Sequence, residues 1–217
     1  MSKELINSHY YLISVAFIMI AFAIFYFCYE KKKPQAREIV TLAVLCAIAV
    51  AARTAFVMIP FFKPMTAIVM ISGMAFGPGA GFLVGSMSAF VSNFIFGQGP
   101  WTPWQMFAYA IAGMLAGLLC KKRIMNEEKK IRTGLIGYGI VQLIVGPLLD
   151  TCSIFTMGQT IEKEFVLAIY GSGILPNLVH GIATFVTLII LCKPMMEKLE
   201  RMKIKYGMMS EASYEVR

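Results

Sequence analysis

The sequence predicts an all-α integral membrane protein, and three observations lead there. Of the 217 residues, 58% are hydrophobic and only 15% are charged. Mean hydropathy is +0.70. Apolar runs of about 20 residues, the length that crosses a ~30 Å hydrocarbon core as a helix, recur along the chain. So few polar residues cannot cover a water-facing fold, which excludes a disordered chain, a disulfide-stapled secreted module and most cytosolic enzymes.

Six or seven spans follow in order. Tyr10 to Tyr29 ends at Lys31, Lys32, Lys33 and Pro34. It lacks a basic flank in front and a small-residue cleavage site behind, so it reads as a retained anchor rather than a cleaved signal. Ile39 to Ile59 is stopped by Pro60. Met65 to Phe76 is short; after the turn Gly77-Pro78-Gly79-Ala80-Gly81 it joins Phe82 to Phe96 as two spans or as a re-entrant pair. Phe107 to Cys120 follows a loop with Trp101, Pro103 and Trp104 and runs into Lys121, Lys122 and Arg123. Thr133 to Met157 and Phe165 to Cys192 complete the set, each long enough to cross with tilt.

The net charge of +8 follows the spans. Sixteen of the 20 Lys and Arg residues fall on one face: after the first span, between Lys121 and Arg132, and beyond Cys192. By the positive-inside rule that face is cytoplasmic, which puts the N-terminus outside and the C-terminus inside the cell membrane. Topology explains these clusters, so no nucleic-acid partner is expected. In the basic tail, Met195, Leu199, Met202 and Tyr206 form a helical stripe that could lie on the membrane surface. Cys28, Cys46, Cys120, Cys152 and Cys192 are scattered, with no CxxC and no His at ligand spacing, and read as small apolar fillers.

Polar side chains at bilayer depth are expensive unless they pair or face a cavity. Arg53, Asn93, Gln98, Trp101, Trp104, Gln105, Tyr109 and Asp150 all fall in the outer part of different spans or in the loop capping them. That convergence predicts an outward-opening pocket with aromatic walls and a few fixed polar groups. Each member has a structural alternative. Arg53 and Asp150 could neutralise one another, Asn93 and Asn177 could link helices, the two Trp could belong to an interfacial belt, and isolated His180 reads as a satisfied core histidine. Asn177 follows Pro176 where the helix should kink, leaving polar backbone open to a ligand or to a neighbouring helix. Ala43, Ala47 and Ala51 make a smooth stripe, as do Gly113 with Gly117 and Ala112 with Ala116; such stripes serve internal packing or grip another protein's helices.

No GxxxxGK[ST], HExxH, GxSxG or intramembrane carboxylate pair occurs, so the chain lacks ATPase, metalloprotease and serine-hydrolase machinery. No catalytic residue, metal or cofactor is expected. An outward pocket without an engine suggests a binding subunit.

The ordered segments Ala43xxxAla47xxxAla51, Arg53-Thr-Ala-Phe-Val-Met-Ile-Pro60, Gly73-Met-Ala-Phe-Gly-Pro-Gly-Ala-Gly-Phe and Ser92-Asn-Phe-Ile-Phe-Gly-Gln-Gly-Pro-Trp-Thr-Pro-Trp-Gln-Met-Phe carry a resemblance. From about Arg37 to Lys193 the chain resembles the substrate-binding S components of energy-coupling factor (ECF) transporters, and Gly-Pro-Trp-Thr-Pro-Trp-Gln-Met looks most like the cobalamin-type branch. The resemblance implies a six-helix S-component-like core over 37–193, preceded by one extra N-terminal transmembrane helix with its basic linker (1–36) and followed by a cytoplasmic tail (194–217). It also implies a vitamin ligand, with cobalamin first and queuosine, riboflavin or pantothenate as alternatives. The partners it implies are a transmembrane coupling protein, met through Ala43, Ala47 and Ala51, and two ATPase subunits. From another class, an autonomous channel or secondary carrier would use Arg53, Asp150 and His180 as a relay.

Overall fold

The computed structural model describes residues 36–120, 127–157 and 162–208, together with the helical positions Leu12, Ala16, Met19, Ile20 and Ala23. The span expected over Tyr10–Tyr29, the linker after it and the end of the tail lie otherwise outside the described residues. The core is all helix: α1 (Ala36–Ala55), α2 (Met65–Phe76), α3 (Pro78–Phe96), α4 (Thr102–Leu119), α5 (Glu127–Ile140), a π turn (Val141–Val145), α6 (Gly146–Thr156) and α7 (Lys163–Tyr206). Because α5, the π turn and α6 run on as one broken rod, six rods make the bundle. Among the described residues, four helical stretches are long and apolar enough to cross a membrane. This is the all-α membrane architecture that the composition predicts.

The short run Met65–Phe76 resolves into a helix of its own. Twelve residues rise only about 18 Å, too little to cross the hydrocarbon. All twelve side chains are buried, the condition under which a helix apolar on every side is stable. It lies at the centre, against α1, α3, α4 and α7. Gly77, at φ 95°, makes the turn into α3, and Pro78 starts that helix where its missing N–H is not needed.

Glycine sets how closely α2, α3 and α4 pack. A methyl group added to Gly73 or Gly81 would strike the backbone carbonyl of Gly113, one on Gly85 that of Tyr109, and one on Gly117 that of Gly73. Backbones this close are possible only without Cβ atoms. The small face of α4 is therefore internal, with Ala112 and Ala116 buried beside it.

Three boundaries differ from the sequence reading. α1 stops at Ala55, four residues short of Ile59, and 56–62 form turns. α4 starts five residues before Phe107, because Pro103 sits in its first turn, so Trp104 and Gln105 are helical rather than in a loop. The last helix runs 44 residues, through Pro176 and Pro194 to Tyr206. Its tail stripe is split: Leu199 is buried and Met195 packs on the core, while Met202 and Tyr206 are exposed.

Gly113→Val should therefore destabilise the bundle by at least about 3 kcal/mol, the top of the usual overpacking range. Gly139→Ala, where an added methyl meets nothing within 4 Å, should be neutral or slightly stabilising, within about 1 kcal/mol. Thermal unfolding of both variants in one detergent checks this, and similar midpoints would contradict the packing account.

Candidate functional site

The candidate binding residues fall into separate groups. One ties together the ends of α1, α3 and α4 that lie opposite the basic termini. Arg53 Nη1, in the last turn of α1, donates to Ser92 Oγ at 2.5 Å and to Asn93 Oδ1 at 3.1 Å. Asn93 Nδ2 donates to Gln105 Oε1 at 2.9 Å and to Thr102 Oγ1 at 3.2 Å. Thr102 Oγ1 donates to Gln98 Oε1 at 2.9 Å, and Gln98 Nε2 donates to the Phe90 carbonyl at 3.0 Å. The Arg53 guanidinium lies 4.5 Å above the Phe96 ring. Asn93, 1% exposed, uses both ends of its amide on protein partners. It is a knot joining three helices.

The aromatic candidates occupy three different places. Trp104 is buried, stacked on Phe155 at 5.8 Å and packed with Cys152. Trp101 is 40% exposed, in the turn before α4, with its ring against Gly99. Tyr109 is buried with its ring 6.1 Å from that of His180. His180 Nε2 meets Thr66 Oγ1 at 2.7 Å, at the start of α2. It is a hydrogen-bonded core histidine.

The remaining polar candidates meet between α6 and α7. Asn177 Nδ2 donates to Asp150 Oδ2 at 2.8 Å, and Gln142 Nε2, from the π turn, donates to the Asn177 carbonyl at 2.9 Å. Pro147 explains the π turn: it has no N–H for the preceding turn's carbonyl, and the chain passes it by widening. Gly146 makes room for the Asn177 amide, and Gly173 for the Asp150 carboxylate. A cleft of about 510 Å³ opens here, lined among others by Gln142, Pro147, Asp150, Tyr170, Ile174 and Asn177. Tyr170 OH and Thr151 Oγ1 lie 2.8 Å apart at its edge. The Arg53–Asp150 pair does not form: Arg53 takes Ser92 and Asn93, and Asp150 takes Asn177. Two groups thus replace the single pocket expected from sequence.

Between α1 and α2, the turns carry Phe56, Val57, Met58, Ile59 and Phe61 exposed. Phe61 has φ 61°, the only positive value at a non-glycine among the described residues, and Phe56 and Phe62 pack at 5.2 Å. On α1 itself, Ala43, Ala47 and Ala51 are exposed, next to exposed Val40, Val44 and Ile48. Leu42, Leu45, Cys46, Ala49 and Val50 on the opposite side are buried. Among the described residues, no helix covers the alanine stripe.

A sequence model of the family described as "ECF-type riboflavin transporter, S component" matches residues 33–197. The chain belongs to this family. A relative, a UPF0397 protein of Clostridium perfringens (strain SM101 / Type A), is 26% identical over 159 residues, covering 69% of this chain and 79% of that protein. The protein is a multi-pass membrane S component of an ECF-type transporter and not an enzyme. The description of the matching family names riboflavin.

Sequence reasoning missed Ser92, Thr102, Thr151 and Tyr170. Tyr170 had a usable signal, because it stands seven residues before Asn177 and so shares its helix face. Ser92 and Thr102 had none, since their roles depend on which helices meet.

Asn93→Ala should destabilise the S component by about 2 kcal/mol, because it strands partners on two neighbouring helices, Arg53 on α1 and Thr102 and Gln105 on α4. Exposed Gln98→Ala should lose under about 1 kcal/mol. Unfolding midpoints read the difference, and equal losses would show that Asn93 is no knot.

Proposed function

We propose that this S component captures a flat, ring-bearing vitamin outside the cell and delivers it inward when α1 docks on an ATP-driven module. The observation that carries the ligand half is the α6–α7 cleft. It has the volume of a small-molecule site, apolar walls, and the few convergent polar groups that orient a ligand. In this reading Asp150 and Asn177 accept and donate hydrogen bonds to the ligand, and Tyr170 offers it a flat face. Arg53, Asn93, Gln98 and Gln105 brace the ends of α1, α3 and α4 rather than line this cleft.

Riboflavin is the ligand we favour over cobalamin. The family's description names riboflavin, and a three-ring flavin suits a cleft of about 510 Å³ better than a corrinoid does. The cobalamin expectation leaned on Trp101 and Trp104 as paired walls, and these two face different surroundings. Queuosine and pantothenate precursors remain comparators.

The docking half rests on the free face of α1. Alanines on an exposed helix let a partner backbone approach closely, which is how helices associate in lipid without a hydrophobic driving force. The partners are a transmembrane coupling protein and two ATPases. The basic end is cytoplasmic by its Lys and Arg excess, which puts the C-terminus inside and the expected N-terminal helix of 1–36 with its start outside.

Calorimetry on the detergent-solubilised chain tests the ligand half. Riboflavin should bind, cobalamin and a queuosine precursor should not, and Tyr170→Ala should weaken binding about tenfold, or about 1.4 kcal/mol. Binding of cobalamin alone would overturn the ligand choice, and binding of none of the three would overturn the ligand class. Ala47→Trp tests the docking half: ligand binding should stay near wild type while ATP-driven uptake is lost. Equal loss of both would place the stripe in packing instead.

A further inference from the structure

The part of α7 beyond Pro194 has no role in the site, yet it is built into the fold. At 1.5 Å per residue, 44 residues reach about 66 Å, roughly twice the hydrocarbon thickness. The excess does not simply run out into water. Leu199 and Met208 are buried and Met195 and Met196 pack on the core. Lys203, 8% exposed, donates from Nζ to the Ala75 carbonyl at 3.2 Å and sits 5.8 Å from the centre of the Phe76 ring. Those two residues end α2, so the ammonium meets the negative end of the central helix's dipole. Gly207, left-handed at φ 59°, ends α7 and turns Met208 in. Thr41 Oγ1, on the first turns of α1, then meets Met208 Sδ at 3.5 Å. The outward face of the same segment carries Lys198, Arg201 and Lys205, all exposed.

We propose that the segment beyond Pro194 is a reversible latch that seals the basic end of the bundle, closed by Lys203 on the end of α2 and by Met208 on the root of α1. Three features make it separable. Pro194 removes one helical hydrogen bond and gives α7 a hinge there. Part of the seal is a polar ammonium–carbonyl contact, and a hydrophobic residue of similar size in such a place often binds more tightly. The apolar seats, Met195, Met196, Leu199 and Met208, are few against those of the core helices, the condition for opening locally without unfolding the bundle. When open, the latch uncovers the Phe76 end of α2, on the face toward which a delivered ligand must leave. That last consequence rests on the proposed inward delivery; the latch itself does not.

Hydrogen exchange on the whole chain in nanodiscs tests the latch without ligand or partner. Backbone amides of 195–208 should exchange at least roughly tenfold faster than those of α2 and α4, showing their own opening. Lys203→Met should slow that opening, and Lys203→Ala should speed it, with α4 unchanged in both. Exchange of 195–208 at the rate of the core would overturn the proposal, as would a segment whose exchange is indifferent to Lys203. A Thr41→Cys/Met208→Cys pair, oxidised and mapped by mass spectrometry, locks the latch. Locked protein should bind ligand as before and lose uptake with an energising module, regained on reduction. Uptake undiminished by the lock would overturn the gating role, whereas uptake absent in the reduced form as well would point to failure of the delivery reading and leave the exchange result to decide the latch.

Discussion

Everything in this S component hangs on how closely α2, α3 and α4 approach. Gly73, Gly81, Gly113 and Gly117 each meet a neighbouring helix's backbone at closest approach, and no other residue type permits that distance. In lipid there is no hydrophobic drive to bring helices together, so contact area has to come from fit. The tight triad gives α2 walls on two sides, and α1 and α7 close the rest. A twelve-residue helix that could not cross a membrane alone becomes the bundle's axis. Because that axis is fully covered, the rods around it keep outer faces for other uses: α1 its alanines, and α6 with α7 the cleft.

The polar groups divide by role along the same lines. Where three helices end together, Asn93 and Arg53 satisfy one another and their neighbours, and the helices' relative positions are held by hydrogen bonds in a medium that offers no substitute for them. Between α6 and α7, Asp150, Asn177 and Gln142 bridge the helices and border an open cleft. The chain has no ATPase machinery of its own, so a binding role needs an outside source of work.

Much of the fold was legible in the sequence because a bilayer leaves few choices. Met65–Phe76 was bounded to the residue by Pro64 and Gly77, and the Gly77-Pro78 turn was evident. The start of α4 was missed because Pro103 was read as a loop residue, although proline is at home in a first helical turn. The candidate residues were largely recognisable as types, since Arg53, Asn93, Asp150 and Asn177 stand out in apolar runs. Their grouping was not. Depth along a helix follows from residue count, but the direction a side chain faces depends on rotation, and the π turn at Val141–Val145 shifts that rotation for everything after it. Trp104 shows the limit most clearly: its place near a stiff outer turn suggested a ligand wall, and its neighbours on α6 make it core.

The central claim is that this chain binds and its partners drive. Transport of labelled riboflavin into proteoliposomes tests it most directly, with the chain alone and with a coupling protein and two ATPases added. The account predicts no accumulation by the chain alone and uptake that appears only with the full module and ATP. Accumulation by the chain alone, down a gradient or coupled to an ion, would contradict it and make the protein an autonomous carrier.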